Sequence, residues 1–473
     1  MKKSKFALAV IGLLWLTMAS TALAMTPVHS NQSHELLLIT NGSAALQARL
    51  EMIERAQTSV AIESYLLVAD SSGKFLLQAL QKRAKAGVKV RILCDLLDQA
   101  LDPFLATVLA EDGIEVKYYR PSSMAKLWVS KGHRNHRKTF IVDGREMIVG
   151  GRNSADRYMD IPNHRNFLFV DYELAVKGPI VEDVLASFNE YWSSPLSEKV
   201  AASRHPSKGP SWSSINSSNP SEREWQARQF LVESPEDQAL RLQVATLGIK
   251  ALEASPTFES KSLWWVGDEP MNSDSSRKVQ GFVLDHIIQA QHSFSAEEWA
   301  FITTPEMEQA LDQLLTKKVR IEILTNSYPS ASDPILTHIA HPIEARWVQK
   351  GVRILELQAI PVPGSNMSAP PGTRFGTHAK TFVIDGKDTF IGSYNFDPRS
   401  QNINSEDGLY IENLPELAKA VEQTMKTRMS VAWEMNAKGE YVNGPPVDQT
   451  IPKGERFKTH VLGGLAEYLR GLF

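Results

Sequence analysis

One eighteen-residue motif occurs twice in the chain. Residues His136–Asn153 read HRKTFIVDGREMIVGGRN, residues His378–Asn395 read HAKTFVIDGKDTFIGSYN, and eight of the eighteen positions are identical. In each copy a His and a Lys stand two residues apart, so on a strand both side chains point to the same side. A duplicated pattern implies two similar halves, which usually pack about a pseudo-twofold axis. We therefore expect both copies to meet at one site that could hold a phosphate.

The duplication extends beyond the motif to whole structural units. The hydrophobic periodicity of the first half predicts a helix at 45–56, a strand at 59–65, a helix at 74–86 and strands at 88–94 and 114–119. The second half predicts helices at 278–290 and 306–317 and strands at 292–298, 319–326 and 351–354. Strands that alternate with helices indicate an α/β fold with a mostly parallel sheet covered by helices.

Composition places the domain boundaries. Residues 201–225 are rich in Ser, Pro and Asn without periodicity, which is typical of an exposed linker. The sequence therefore predicts a first domain at 34–200, a second domain at 226–445 and a C-terminal tail at 446–473. Apolar residues recur at helical spacing within 457–473, so this tail could dock against the protein core or lie in a lipid surface.

The N-terminus has the order of a secretory signal peptide. Three lysines precede an apolar run and the small-residue sequence Ala22-Leu23-Ala24, so we expect cleavage after residue 24 and an exported protein, periplasmic or secreted. The alternative is an uncleaved membrane anchor.

The formal net charge of −3 becomes more negative without these lysines, which disfavours a dedicated nucleic-acid binder. The single cysteine, Cys94, excludes an intrachain disulfide.

The two copies carry the same chemically active side chains. These are His136, Lys138, Asp143 and Asn153 in the first copy, and His378, Lys380, Asp385 and Asn395 in the second. The ammonium and carboxamide groups suit the non-bridging oxygens of a phosphodiester. One imidazole would attack phosphorus as a neutral base, and the other would protonate the departing alcohol. This inventory suits phosphodiester chemistry without a metal or a cofactor.

Carboxylates elsewhere in the chain are candidates for orienting the imidazoles. Asp171, in the segment Phe169–Glu173, would serve one half and Glu406 the other, each holding a histidine tautomer. The aspartates of the motif are ambiguous. Asp143 and Asp385 each precede a glycine in a turn, where Asp often serves only the turn geometry, so direct chemistry and a structural role both stay open.

The spacing His-x-Lys-x4-Asp-x6-Gly-x2-Asn, present in both halves, resembles that of the phospholipase D superfamily. The segments VGGRNSADRY at 149–158 and FIGSYNFDPRS at 390–400 are similar to those of bacterial cardiolipin synthases and their phospholipase D-like relatives. The resemblance covers roughly residues 35–195 and 260–435. It implies two tandem phospholipase D-like α-β-α sandwich domains related by a pseudo-twofold axis, with the active site at their interface.

The resemblance also implies an activity. An enzyme of this kind hydrolyses glycerophospholipids or transfers their phosphatidyl group through a phosphohistidine, touches a membrane peripherally and works as a monomer. By analogy His136 is the nucleophile and His378 the general acid. The chain departs from its relatives at Asp171-Tyr172-Glu173, where they show Asp-x-Asp, and at Glu63 and Glu298, where they carry Gln or Ser. We expect these two glutamates to occupy corresponding strand positions. There they would either influence the headgroup preference and the histidine pKa values, or form ion pairs beside the site.

Two other functions fit parts of the pattern. An exported nuclease would use the same constellation on a DNA phosphodiester, favoured by Lys131, Arg134 and Arg137 and opposed by the acidic net charge. A lipid-binding protein that has lost turnover is opposed by the two intact copies. The headgroup preference and the choice between water and an alcohol as acceptor depend on the shape of the cleft.

Overall fold

The computed structural model describes residues 27–95, 101–119, 134–162, 166–200, 215–270, 277–363, 365 and 369–451. The predicted signal peptide, residues 201–214 of the predicted linker, Lys131, and the predicted tail beyond residue 451 lie outside the described residues. The strands in chain order are β1 (Val28–Ser30), β2 (His34–Ile39), β3 (Ser59–Ser64), β4 (Lys89–Asp95), β5 (Ile114–Tyr119), β6 (Arg134–Asn135), β7 (Thr139–Val142), β8 (Glu146–Gly150), β9 (Phe167–Val170), β10 (Glu173–Lys177), β11 (Ser197–Lys199), β12 (Thr257–Ser260), β13 (Leu263–Gly267), β14 (Ser293–Glu298), β15 (Arg320–Asn326), β16 (Arg353–Leu357), β17 (Arg374–Thr377), β18 (Lys380–Ile384), β19 (Asp388–Gly392), β20 (Asn404–Ser405), β21 (Asp407–Ile411) and β22 (Ala432–Glu434).

The helices cover the faces of the sheets. In chain order they are Gly42–Arg55, Ser71–Lys85, Pro103–Glu111, Ile180–Ser193, Pro220–Phe230, Pro235–Glu253, Val279–Ile287, Pro305–Thr316, Pro334–Lys350, Pro398–Asn402, Pro415–Met429 and Val447–Thr450, with a 3-10 turn at Asp156–Tyr158. Many begin at a side-chain cap, as where Asp70 accepts from the Gly73 amide and Thr304 from the Met307 amide.

The strands form two nine-stranded sheets with the same internal order. The first runs β11-β5-β4-β3-β7-β8-β10-β2-β12, and the second, read from its far edge, runs β22-β16-β15-β14-β18-β19-β21-β13-β1. The matching orders confirm the α/β fold built from two similar halves. One edge strand crosses between the halves: the N-terminal β1 belongs to the sheet of the second half, whereas β12 closes the sheet of the first half.

The expectation of a mostly parallel sheet is wrong for most strands. In each sheet only three neighbouring strands are parallel to one another, β3, β4 and β5 in the first and β14, β15 and β16 in the second. The motif itself forms the hairpins β7–β8 and β18–β19. A tight turn joins two strands only in antiparallel order, so the motif adds antiparallel strands beside the helix-connected ones.

A shared apolar core joins the halves. It contains buried side chains from both sheets and from the helices Ile180–Ser193 and Pro415–Met429, among them Phe188, Trp265 and Val421. Full burial of one such side chain contributes about 1.5–3 kcal/mol, so this core holds the two sheets in a fixed relation. Each half also has its own cluster on the opposite face of its sheet.

Residues predicted as the end of the linker and the start of the second domain pack on the first half. The helix Pro220–Phe230 begins inside the predicted linker 201–225, and its buried Arg223 pairs with Asp102. Pro235–Glu253 follows, and β12 then joins the first sheet. The side chain of Asn219 caps the helix, because Asn, Ser and Pro start helices as readily as they fill linkers. The structure thus assigns 220–260 to the first half, whereas the predicted second domain began at 226.

Candidate active site

Two short parallel strand pairs cross between the halves and position the histidines. β6, which leads into His136, pairs with β20, which leads into Glu406. In the same way β17, which leads into His378, pairs with β9, which leads into Asp171. The His136 amide donates to the carbonyl of Ser405 at 3.0 Å, and the His378 amide donates to the carbonyl preceding Asp171 at 2.9 Å. Each histidine therefore enters the site beside a carboxylate of the opposite half.

The imidazoles contact those carboxylates directly. Nδ1 of His136 lies 2.8 Å from Oε2 and 3.0 Å from Oε1 of Glu406, and Nδ1 of His378 lies 3.0 Å from Oδ2 of Asp171. The predicted orienting carboxylates thus lie beside the imidazoles, with the partners exchanged across the pseudo-twofold axis. Glu173, also in the predicted segment, is instead bound by Arg49. All four paired side chains are buried.

The lysines and asparagines of the motif lie in the same buried cluster. Lys138 Nζ donates to the carbonyl of His136 at 2.6 Å, and Lys380 Nζ donates to the carbonyl of His378 at 2.5 Å. The buried Asn153 donates to the hydroxyl of Tyr158 at 3.1 Å. Its Oδ1 atom, and that of the buried Asn395, have no protein partner. Unpaired amide groups beside two ammonium groups are suited to a polar ligand.

Electrostatics link the two copies into one site. Burial lowers the pKa of both His136 and His378 well below the usual value, and Lys138 and Lys380 lower each of them further. Because each imidazole responds to the lysine of the other half, the two motifs share one electrostatic environment. A phosphodiester anion bound between them would raise the pKa of these bases.

The lysines and their carboxylate neighbours titrate near neutral pH. Burial lowers the pKa of Lys138 to about 7 and of Lys380 to about 8, in part opposed by the carboxylates. Burial raises the pKa of Asp171 and of Glu406 to about 7, opposed chiefly by Lys380 and Lys138 respectively. Such a cluster can exchange protons at neutral pH, which acid–base catalysis requires.

The two halves support their carboxylates differently. Glu406 accepts hydrogen bonds from the hydroxyls of Ser393 at 2.5 Å and Ser400 at 2.6 Å. The position that matches Ser393 in the first copy is Gly151, where an added Cβ would lie 2.4 Å from Oδ1 of Asp171. Glycine thus leaves room for one carboxylate, and serine holds the other as a fixed acceptor.

The motif aspartates are not brought to this site. Asp143 occupies the hairpin turn with φ 54° and accepts from the backbone amides of Gln57, Thr58 and Ser59. Asp385 has φ 51° and binds residues 291–293 in the same way. Each aspartate stands five positions along the strand from its lysine, a distance of roughly 16 Å. Their prediction as catalytic residues is corrected to a structural role: each ties its hairpin to the start of the neighbouring strand.

The placement of Glu63 and Glu298 at corresponding positions is wrong by one residue. Strand register pairs Glu63 with Thr139 and Glu297 with Thr381, so Glu297 is the counterpart of Glu63. A shift of one residue along a strand moves a side chain to the opposite face. Glu298 therefore faces the other way, beside Lys380.

The true counterparts are both ion-paired. Glu63 lies 3.3 Å from Arg137, and Glu297 lies 2.8 Å from Arg428, with all four side chains buried. Glu298 is completely buried, its Oε1 atom has no hydrogen-bond partner, and burial raises its pKa well above the usual value. The ion-paired role thus fits Glu63 but not Glu298.

Two arginines complete the cluster and were not predicted from the sequence. Arg157 lowers the pKa of His378 and Arg399 lowers that of His136, although each is a smaller effect than burial. Both stand four residues after the motif asparagine of their own copy, at Asn153 and Asn395, and that shared spacing is the signal that could have found them. Their guanidinium groups are suited to a phosphate.

Carboxylates and a histidine that could hold a metal lie elsewhere among the described residues, at His341, Glu344 and Glu356. Within the part of the chain that the structure describes, no helix is both long enough and apolar enough to cross a bilayer.

Comparison with known proteins agrees with this geometry. The family model described as "Cardiolipin synthase, PLD-like domain" matches residues 50–192 and 283–429, one match in each half. The chain is 29% identical over 453 residues to cardiolipin synthase C of Escherichia coli K12, covering 88% of this chain and 89% of that protein. It is 24% identical over 387 residues to cardiolipin synthase B of Salmonella typhi, covering 81% and 77%.

The fold also matches a solved structure across its whole length. A phosphatidylserine synthase of Haemophilus influenzae Rd KW20 superposes with a TM-score of 0.64 at 12% identity, covering 95% of this chain and 97% of that one. This likeness concerns the arrangement of both halves, beyond the motif alone. The duplicated motif, the paired sheets and the two matches of the family model show that the chain belongs to the phospholipase D superfamily, close to the cardiolipin synthases.

Proposed function

We propose that this protein is a phosphatidyltransferase of the phospholipase D type, which cleaves the headgroup ester of a glycerophospholipid through a phosphohistidine. The observation that carries the proposal is the crossed arrangement of His136 with Glu406 and His378 with Asp171 in one buried cluster with both lysines. The names of the relatives, cardiolipin synthases and a phosphatidylserine synthase, support a phospholipid as the substrate. The chain would meet it by peripheral contact with a membrane.

His136 is the better nucleophile of the two. Glu406 is held as an acceptor by two serine hydroxyls, Ser393 and Ser400, so it binds a proton on Nδ1 of His136. That tautomer leaves the lone pair on Nε2, which attacks phosphorus and forms the P–N bond as the bond to the headgroup oxygen breaks. Burial keeps this imidazole unprotonated until the substrate arrives.

His378 is better suited to move protons. Its Nδ1 atom lies 3.0 Å from both Oδ2 of Asp171 and Nζ of Lys380. When Nδ1 carries a proton, it donates to the Asp171 carboxylate. When Nδ1 is unprotonated, it accepts from the Lys380 ammonium, so the imidazole has a hydrogen-bond partner in both protonation states. A bound phosphodiester anion would raise the pKa of His378, so that its imidazolium protonates the departing alcohol. The neutral ring would then deprotonate the acceptor hydroxyl, which attacks phosphorus as the P–N bond to His136 breaks.

The remaining polar groups stabilise the charge on phosphorus. Lys138 and Lys380 neutralise the non-bridging oxygens, which carry more charge in the transition state than in the substrate. The Nδ2 groups of Asn153 and Asn395 would donate hydrogen bonds to the same oxygens. Because these groups are buried, their interaction with the phosphate is stronger than it would be in water.

Product analysis tests this function. The purified protein is incubated with vesicles of phosphatidylethanolamine and phosphatidylglycerol, beside a plasmid sample, and the products are identified by mass spectrometry. Cardiolipin identifies an alcohol acceptor, and phosphatidic acid identifies water. Intact lipids with degraded plasmid would replace the proposal by an exported nuclease, and no turnover of either would favour a binding protein.

A further inference from the structure

A second buried polar cluster lies in the second half, apart from the catalytic histidines. Ligand atoms of His341, Glu344 and Glu356 all lie within 4.8 Å of one another. His341 and Glu344 stand three residues apart on the helix Pro334–Lys350, so they share a face, and Glu356 projects from the adjacent β16. The cluster therefore joins a helix to a strand.

Glu344 lacks what a buried carboxylate requires. Its side chain is 1% exposed, and neither of its oxygen atoms has a hydrogen-bond donor in the protein. A second buried carboxylate, Glu356, faces it. Two adjacent carboxylates in an apolar surrounding repel each other and lose their hydration, so a cation or a shared proton must lie between them.

The surrounding groups also suit a metal ion. Nε2 of His341 lies 3.0 Å from the carbonyl of Gly439, to which it donates, so Nδ1 is the ring nitrogen that faces the carboxylates and would bind a metal once it has lost its proton. Nδ1 is 2.9 Å from Oε1 of Glu356, while the hydroxyl of Tyr441 donates to Oε2 at 2.5 Å. A backbone carbonyl that fixes the tautomer and a hydroxyl that orients a carboxylate are typical second partners of metal ligands.

We propose that His341, Glu344 and Glu356 bind one zinc ion. One imidazole nitrogen and two carboxylates suit zinc at about 2.0–2.2 Å, and their two negative charges neutralise a divalent ion. Magnesium and calcium prefer shells made of oxygen ligands alone, so they fit less well. The side chain of His341 is 12% exposed, which gives the ion a route from solvent.

The site would stabilise the second sheet and leave the chemistry to the histidines. It ties the helix Pro334–Lys350 to β16 and to the turn at Gly439, next to the sheet edge formed by β22. Its ligands are distinct from the catalytic groups, so loss of the zinc would lower stability and leave the identity of the lipid products unchanged.

Metal content tests the proposal. The purified full chain is stripped with a chelator, mixed with zinc chloride, desalted, and analysed for zinc and for its melting temperature. We expect about one zinc per chain in the wild type and a tenfold or greater loss in Glu344→Gln and His341→Asn. Glu440→Gln, an exposed glutamate beside Gly439, is the matched control and should keep the zinc. Zinc should raise the melting temperature of the wild type and of this control alone.

If Glu344 and Glu356 share a proton instead of binding zinc, the opposite result is expected. Gln at position 344 keeps the shape of a protonated Glu and can still donate to Glu356, so Glu344→Gln would then match the wild type in stability and zinc would change neither. Equal zinc uptake by the wild type and Glu344→Gln, or no rise in the melting temperature of the wild type with zinc, overturns the proposal. If the variant fails to fold, titration of the wild type with Co²⁺ decides: we expect a visible ligand-field band that zinc removes, and its absence overturns the site.

Discussion

Nδ1 of His136, in the first half of the chain, lies 2.8 Å from Oε2 of Glu406, in the second half. The symmetry-related contact joins His378 to Asp171 at 3.0 Å. Each motif therefore depends on the other half for the group that sets its tautomer. Neither half forms a complete site alone, and a shared core together with β1, which pairs in the sheet of the second half, holds the halves together.

Removing the acceptor of His136 should reduce turnover more than stability. Glu406→Gln keeps the size of the side chain but weakens the charge-assisted hydrogen bond to Nδ1, so we expect kcat to fall about 10²–10⁴-fold. The control is Glu412→Gln, a surface glutamate that accepts from Ser262. Turnover of a phospholipid is measured beside the melting temperature. Equal activity in Glu406→Gln and the control would contradict the orienting role.

The pH dependence follows from the buried charges. Glu406 and Asp171, with pKa values of about 7, must be ionised to accept from the imidazoles, so kcat/KM rises as the pH rises towards 7. Lys138 loses its charge above a pKa of about 7 and Lys380 above a pKa of about 8, so kcat/KM falls again. We expect a bell-shaped profile with its maximum at about pH 7, measured on a short-chain soluble phospholipid. A profile that is flat through this region would show that these groups do not control the reaction.

The motif aspartates should matter for stability and little for chemistry. Asp143→Ala removes the acceptor of three backbone amides, so we expect a loss of about 1–3 kcal/mol in the free energy of unfolding. The value of kcat should stay within about twofold, because the carboxylate is far from the lysines. Asp143→Asn, which tolerates the positive φ and keeps one acceptor, should lose less. A large fall in kcat with unchanged stability would restore a catalytic role.

Much of the candidate active-site cluster could be predicted from the sequence, because the motif encodes it locally. His136, Lys138 and Asn153 share one strand-turn-strand unit, and so do their counterparts. The role of the motif aspartates stayed open at the sequence level because a turn residue and a catalytic residue are equally polar, and the three amides bound by Asp143 separate the two roles.

The crossed pairing could not be read from either copy. It depends on which short strands meet between the halves, β6 with β20 and β9 with β17, and contacts between residues this far apart leave no local pattern. The register of β14 was open for a similar reason: Glu297 and Glu298 are adjacent and chemically alike, and only pairing with β18 decides which one faces Lys380.

The stability of Glu298→Gln should show how that residue is protonated. Burial raises the pKa of Glu298, so the folded state holds its proton more tightly than the unfolded chain does. The contribution of this proton to the free energy of unfolding is complete at low pH. It is lost as the pH rises from the pKa of the unfolded chain, about 4.5, towards the higher pKa of the folded state. Gln has no such loss. We therefore expect the variant to match the wild type in acid and to be more stable at neutral and alkaline pH.

Denaturant unfolding at several pH values measures this difference, and Glu63→Gln provides the contrast. Glu63 is paired with Arg137, so its replacement leaves a buried guanidinium with less compensation and should cost about 3 kcal/mol. If Glu298→Gln is instead as destabilising as Glu63→Gln at neutral pH, Glu298 is an ionised partner of Lys380.

A covalent phosphatidyl intermediate on His136 is the feature that distinguishes the proposed mechanism from direct hydrolysis. The protein is mixed with a short-chain phospholipid, quenched rapidly, digested without exposure to acid and analysed by mass spectrometry for a phosphatidyl adduct on histidine. We expect an adduct on the peptide that contains His136, its absence in His136→Asn, and its retention in His378→Asn if His378 serves mainly in the release step. An adduct confined to His378, or products formed at the wild-type rate by His136→Asn, would show that His136 is not the nucleophile.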